Sequence, residues 1–193
     1  MQLCLMGGTF DPPHWGHTLL AEFVRTTFSI DTFLFVPAYI PPHKQHKSIS
    51  KTEHRVRMLE LVCEDHEPFQ LDTREIERQG ISYTVDTVRT IVAEKNFHKD
   101  DIGLLIGADN FRDFQSWKDT DALLDLCRVL VVDRPDFPLS EDLPYYQQVE
   151  FIDAPVIEIS GSQIRERLRR DLSVKYFLLP RVESYIRSHN LYR

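Results

Sequence analysis

The sequence has no long apolar run. Its longest stretch free of charged residues, Thr32 to His43, contains three prolines and falls far short of the roughly 20 apolar residues a membrane-spanning helix needs. A helical membrane span is therefore excluded, and no membrane partner is expected. Met1 leads straight into LCLMGG, without the basic segment, apolar core and small-residue cleavage site of a secretory leader, so the expected compartment is the cytoplasm. Cysteine is scarce. Cys4, Cys63 and Cys127 are odd in number and widely spaced, which fits neither a disulfide framework nor a CxxC metal or redox site; reduced packing residues are expected. An excess of positive charge is missing too, since 23 basic against 30 acidic residues leave a net charge of −7. That balance argues against a protein that coats nucleic acid, and any polyanionic ligand must meet a local basic site. Repeats, low-complexity segments and linkers are absent. The 193 residues are expected to form one domain whose helical C-terminal part spans about 160–193; the oligomeric state stays open, a homo-oligomer included.

What is present suffices for a sizeable core: 42% of the residues are hydrophobic and 11% aromatic. LCLMGG reads as a buried strand stopped by a glycine pair, followed by helical spacing at Leu19, Leu20, Phe23, Val24 and Phe28. TFLFVPA (Thr32 to Ala38) reads as a second strand, broken by a proline-rich loop in which His43, Lys44, His46 and Lys47 cluster. Helical periodicity recurs over Glu53 to Cys63 and Thr84 to Ala93, with a strand and turn expected in FQLDTREIERQG between them. IGLLIGAD (Ile102 to Asp109) and RVLVVDR (Arg128 to Arg134) are strand candidates with all-apolar centres, separated by a short helix near Asp119 to Leu126. VEFIDAPVIEIS supplies final strand material, SGSQIRERLRR starts like a serine-capped helix, and the tail from Val174 to Leu191 is expected to be helical. Alternating strands and helices predict an α/β fold, an open, doubly wound, mostly parallel sheet with helices on both faces. Such a sheet binds ligands at the carboxyl ends of its strands.

Two segments carry the chemistry. The first is GGTFDPPHWGH, Gly7 to His17. A glycine-rich passage from strand to helix lets main-chain N–H groups at Gly8, Thr9 and Phe10 approach a phosphate, and a helix start favours an anion. His14 and His17, three apart, share one side of that helix entry and can donate to the same oxygens. The same residues also fit a turn with two surface histidines, or a two-histidine metal site that lacks a third ligand at recognisable spacing. The second segment is ISGSQIR, Ile159 to Arg165. Ser160, Ser162 and the amides after Ile159 can cradle phosphate while Arg165, one turn on, adds charge. Alone, the segment also fits a plain capped helix with a solvated arginine.

GTFDPPHWGH resembles the HxGH-bearing motif of the nucleotidylyltransferase superfamily, and ISGSQIR resembles its ISSTxIR-type second motif. Within that superfamily, VPAYIPPHK, SYTVDTV (Ser82 to Val88), GADNFRDFQSW and the ending SYIRSHNLYR are similar, in order along nearly the whole chain, to segments of the bacterial nicotinate mononucleotide adenylyltransferases. This resemblance implies a Rossmann-like nucleotidylyltransferase fold and an enzyme of NAD biosynthesis. Its substrates would be ATP and nicotinate mononucleotide, and its products nicotinate adenine dinucleotide and pyrophosphate. The sequence departs from the motif at Gly161, where a hydroxyl residue is usual, and at Ser162 in place of threonine, so one phosphate hydrogen bond is expected to be missing there.

Each piece has a physical use in that reaction. Trp117 can lie over a cationic pyridine ring, though an ordinary core tryptophan reads the same way. Tyr83 and Thr84 can offer donors to a nicotinate carboxylate. His43 and Lys44 can neutralise a phosphate, unless they are simply solvated. Asp109 can accept from ribose hydroxyls, Gly107 lets an adenosine approach, and Arg134 sits where a strand end can meet phosphate. The attacking phosphate is already ionised, so no catalytic base is required; His14, His17 and Arg165 are expected to position and stabilise charge, together with Mg²⁺ held mainly by ATP phosphates and no dedicated protein ligand. The rivals are an adenylyltransferase acting on phosphopantetheine or on nicotinamide mononucleotide, and a non-catalytic nucleotide sensor.

Overall fold

The computed structural model of the chain describes residues 1–42, 49–64, 66–132, 139–155 and 157–193. Six strands, β1 (Leu3–Gly8), β2 (Thr32–Pro37), β3 (Phe69–Leu71), β4 (Ile102–Gly107), β5 (Arg128–Val132) and β6 (Glu150–Ile152), form one sheet in the order β3-β2-β1-β4-β5-β6. Every strand pair is parallel. Eight helices accompany them among the described residues: α1 (Trp15–Thr27), α2 (Thr52–Cys63), α3 (Arg74–Arg78), α4 (Thr84–Lys95), α5 (Ala108–Arg112), α6 (Thr120–Leu126), α7 (Gly161–Arg169) and α8 (Pro180–Ser188). This is the doubly wound α/β arrangement expected from the alternation of elements, with all rather than most strand pairs parallel.

Because successive strand side chains point to opposite faces, the continuous apolar runs feed two cores. Cys4, Met6, Phe33, Phe35, Leu105 and Leu130 face one side, where α1, α2, α7 and α8 contribute Val24, Leu59, Ile164 and Val182. Leu3, Leu5, Leu34, Val36, Leu104, Ile106 and Val131 face the other, against Val88 of α4, Phe111 of α5 and Leu123 of α6. Cys4 and Cys127 are buried, Cys63 is half-buried and none is in a disulfide; burial pushes the Cys63 and Cys127 thiols up to about 12, as packing residues require. Among the described residues no helix is long and apolar enough to cross a membrane.

Several boundaries differ from the expectations. The segment after β3 is not strand and turn alone. It contains the five-residue helix α3, too short for helical periodicity to register in the sequence. The strand expected over Ile102 to Asp109 stops at Gly107, and Asp109 lies in the first turn of α5. Among the described residues of VEFIDAPVIEIS only Glu150–Ile152 is strand, and the helical tail is confined to Pro180–Ser188, where proline at the first helical position suits a helix start. The glycine pair does not make the turn after β1. Gly7 and Gly8 belong to the strand itself, and the left-handed backbone falls on Phe10, at φ 49°. Gly8 has a steric reason instead, since a Cβ there would lie 3.0 Å from the Phe10 ring.

Candidate functional site

The order β3-β2-β1-β4-β5-β6 places the reversal of winding between β1 and β4, where a crevice opens at the carboxyl ends of the strands. The chain leaving β1 at that edge is Thr9 to Pro13, and it delivers His14 as the residue capping α1. The two histidine rings stack, with centroids 3.8 Å apart and planes 28° from parallel. The His14 main-chain N–H donates to His17 Nδ1 at 3.2 Å. That bond occupies the Nδ1 lone pair and leaves the neutral ring's proton on Nε2, which can donate to a phosphate oxygen. Phe10 meets the His17 ring edge-on, with centroids 5.0 Å apart. Gly16 makes the stack possible, because a Cβ there would come within 3.1 Å of His14 Nδ1.

The second motif arrives at the same place from the far end of the chain. Arg165 Nη1 donates to the Asp11 carbonyl at 2.6 Å, and its Nη2 donates to Ser162 Oγ at 3.3 Å. Ser160 caps α7: its hydroxyl accepts from the Gln163 N–H at 3.2 Å, while the Gln163 side chain accepts from the Ser160 N–H at 3.0 Å. The capped-helix reading of this segment thus holds alongside its position at the crevice. Ile159 is half-buried and packs against the first core. Gly161 has a steric role, since a Cβ would stand 2.9 Å from the Asp11 carbonyl oxygen. The departure from the usual hydroxyl residue is therefore tied to the close approach of α7 to the β1–α1 connection.

The other wall comes from the opposite face of the sheet. Ser82 is stitched to the chain leaving β2: its N–H donates to the Ile40 carbonyl at 3.0 Å, and its hydroxyl accepts from the Tyr39 N–H at 2.8 Å. This sets Tyr83 as the cap residue of α4 and Thr84 as its first residue. Trp117 is half-buried, packed edge-on to Phe114 at 5.3 Å between centroids; its Nε1 is buried without a hydrogen-bond partner among the described residues. Lys118, next in sequence, holds its Nζ 4.7 Å from the Tyr83 ring centroid and 2.9 Å from Asp86 Oδ2. Gly107 ends β4, and Asp109, two residues on in the first turn of α5, is exposed. His43, Lys44 and Arg134 lie outside the described residues.

Three buried charged residues near these walls, Asp11, Arg55 and Glu75, are not among the residues expected from the sequence. Asp11 is 7% exposed, and its carboxylate accepts from the Tyr192 hydroxyl at 2.6 Å and the Ser50 N–H at 3.2 Å. Arg55, 1% exposed, donates to the carbonyls of Thr9, Ala38 and Ser50. Burial pulls its guanidinium down from the ordinary value while the Asp11 charge supports it. The signal was a charge placed on the apolar face of α2, beside Met58, Leu59 and Val62. Glu75 is buried in α3 and accepts from Thr87 Oγ1 at 2.6 Å. Burial raises its carboxyl above the usual range despite the hydroxyls of Thr87 and Ser82 and the charge of Arg78.

Comparison with known proteins agrees with this architecture. The cytidylyltransferase-like family matches residues 5–167. A protein of Geobacillus kaustophilus named probable nicotinate-nucleotide adenylyltransferase is 39% identical over 188 residues, covering 97% of this chain and 84% of its own length. One of the same name from Dictyoglomus thermophilum is 36% identical and is covered end to end, as is this chain. Among solved structures, the Plasmodium falciparum nicotinic acid mononucleotide adenylyltransferase complexed with NaAD superposes with a TM-score of 0.79 at 20% identity, over 99% of this chain and 97% of that one. A putative nicotinate-nucleotide adenylyltransferase from Vibrio parahaemolyticus gives a TM-score of 0.72 at 16% identity, over 100% and 96%. The structural likenesses establish the fold, and the sequence relatives, more than a third identical over nearly the whole length, establish the rest: the chain belongs to the nicotinate-nucleotide adenylyltransferase family.

Proposed function

We propose that this protein transfers the adenylyl group of ATP to nicotinate mononucleotide, in the cytoplasm, giving nicotinate adenine dinucleotide and pyrophosphate in NAD biosynthesis. The observation that carries the reading is the meeting of the two motifs. Arg165 of α7 is bonded to the Asp11 carbonyl three residues ahead of the stacked His14–His17 pair. A small cationic cradle therefore stands at the switch point of a protein whose net charge is −7.

In this reaction an oxygen of the mononucleotide's 5′-phosphate, ionised at neutral pH, forms a bond to the α-phosphorus of ATP. The bond from that phosphorus to the α–β bridging oxygen breaks, and pyrophosphate leaves with its electron pair. No proton has to be removed from the nucleophile. The residues instead hold two anions in line and stabilise charge that spreads over the α-phosphate and the leaving group. His14, His17 and Arg165 do this. The main chain at Gly8, Thr9 and Phe10, the turn from Ile159 through Ser160 to Ser162, and Gly107 with Asp109 seat the ATP. Tyr83 and Thr84, at the start of the 12-residue helix α4, face the nicotinate carboxylate with a helix N-terminus that favours an anion, and Trp117 offers an indole for the pyridine ring. His43, Lys44 and Arg134 complete the binding of the second phosphate.

Mg²⁺ bound with ATP neutralises phosphate charge. The residues fit a metal carried in this way: the cradle's donors are imidazole and guanidinium nitrogens, and both oxygens of the nearby Asp11 carboxylate are engaged by Tyr192 and Ser50, which leaves phosphate and water to satisfy a hard cation.

A pyrophosphate-release assay with ATP and Mg²⁺ tests the reading. Nicotinate mononucleotide is expected to be turned over with a kcat/KM at least about tenfold above that of nicotinamide mononucleotide, roughly 1.4 kcal/mol of discrimination. Equal values would remove the acid-recognising role of Tyr83 and Thr84, and no release with either acceptor would remove the function.

A further inference from the structure

The connection from Thr9 to Pro13 presents His14, and several of its polar groups are met from far along the chain. Thr9 O receives Arg55 of α2 at 2.9 Å, Asp11 O receives Arg165 of α7 at 2.6 Å, and the Asp11 carboxylate receives the Ser50 N–H at 3.2 Å. A second donor to that carboxylate is the hydroxyl of Tyr192, 181 positions away, at 2.6 Å. The tail is folded back for this contact. Leu191 donates its N–H to the Ile186 carbonyl, and Tyr192 takes a left-handed φ of 67°, a conformation that is uncommon outside glycine.

A polar pair of this kind needs a reason. Packing alone is served as well by apolar side chains of similar volume, whereas a buried carboxylate is costly unless its oxygens are paired. What Asp11 gains is orientation. Its carboxylate is gripped by two donors, and its own carbonyl is the acceptor for Arg165. The grip on the side chain therefore fixes the direction of the peptide that receives Arg165. Burial and the Asp11 charge both raise the Tyr192 phenol above its ordinary value, so it remains a donor at neutral pH.

We propose that Tyr192 is a positioning residue for adenylyl transfer: through the Asp11 carboxylate it sets the peptide that anchors Arg165 and the approach from which His14 and His17 face the phosphates. The proposal rests on the adenylyl-transfer reading. It assigns the last turn of the chain to the site formed at its beginning, and it makes the error introduced by losing one hydroxyl a misplacement of charge rather than a loss of substrate contact.

The test is steady-state pyrophosphate release by the full chain with ATP, Mg²⁺ and nicotinate mononucleotide. Wild type, Tyr192→Phe, Asp11→Asn, the double variant and Tyr176→Phe are compared, each with its Tm. Tyr176 is 78% exposed and serves as the control, with unchanged kinetics expected. Tyr192→Phe is expected to lower kcat about five- to tenfold while KM for both substrates stays within about twofold and Tm within a few degrees, the pattern of an interaction that matters in the transition state. The double variant is expected to be no slower than the slower single variant, because both changes break one link. The proposal is overturned if Tyr192→Phe keeps kcat within twofold, if its activity falls only in step with its Tm, or if the two single effects multiply. Wild-type protein that releases no pyrophosphate instead overturns the functional reading, and the positioning role falls with it.

Discussion

The two faces of the sheet supply the two walls of the site by different means. On the face covered by α1, α2, α7 and α8, the β1–α1 connection is fixed by hydrogen bonds that span the chain: Arg55 to Thr9, Arg165 to Asp11 and Tyr192 to Asp11. On the face covered by α4, α5 and α6, Ser82 is stitched to Ile40 and Tyr39, but the surface itself is built from ring contacts, Phe111 on Phe114 at 5.8 Å and Phe114 on Trp117 at 5.3 Å, with Lys118 beside Tyr83. The contrast matches the chemistry proposed for each wall. Stabilising charge that develops on a phosphate requires donors fixed in direction, since a preorganised donor is effective only where the charge appears. Recognising a flat ring requires a surface, and aromatic packing supplies one without directional bonds.

The sharpest way to break the comparison is to remove a donor from the first wall. His17→Ala is expected to cut kcat by about a hundredfold or more, on the order of 2.7–4 kcal/mol of transition-state stabilisation. Single-turnover measurements beside an unchanged circular dichroism spectrum would check it. Near-normal turnover would deny the histidine its role. A milder change moves the wall without touching a donor. Gly161→Ala places a methyl group 2.9 Å from the Asp11 carbonyl oxygen, so α7 and the β1–α1 connection must separate. A kcat loss of roughly tenfold is expected, given that displacements of about 1 Å can cost up to about a hundredfold. If restoring a side chain there leaves kcat intact, the close approach is not needed for turnover.

On the second wall the smallest effect is expected, and it appears in stability rather than rate. Glu75 binds its proton more tightly in the folded protein than at its ordinary value of 4.5, because burial penalises the carboxylate. Between 4.5 and the raised value the native state holds more protons than the unfolded chain, so this residue makes stability fall as pH rises through that window. Glu75→Gln removes the ionisation. Relative to wild type it is expected to gain stability as pH rises above 4.5, with kcat at pH 7 within about twofold, as paired denaturant titrations across that range would register. A constant difference between the two proteins at every pH would mean that Glu75 does not titrate there.

The regions also differ in how far they can be read from residues alone. The strand LCLMGG, the helix that follows it and the histidine pair lie within a few residues of one another, so periodicity and spacing suffice to find them. The same holds for β2, β4 and β5, whose apolar runs are buried on both faces, and for the serine cap of α7. Helix α3 escapes because five residues hold too few repeats to reveal a period, whereas β3 and β6 lie within the segments expected to supply strand and are only shorter than those segments. The turn after β1 differs from its sequence signal: a glycine pair suggests flexible backbone, yet the strand keeps both glycines and the left-handed residue is Phe10. Arg55 could have been noticed as a charge on an apolar helix face.

By itself, the sequence determined the alternation of strands and helices, the doubly wound sheet, and the identity of the two motifs, because each is written in contacts between near neighbours and in side chains that repeat at the period of one element. Only the tertiary structure decided that Asp11 is the meeting point of Arg165, Ser50 and Tyr192, and that Gly161 is required by a close backbone approach. Contacts between residues 39 to 181 positions apart depend on how every intervening helix packs. Their hydrogen bonds form only after burial has brought those groups together and removed water as the competing partner.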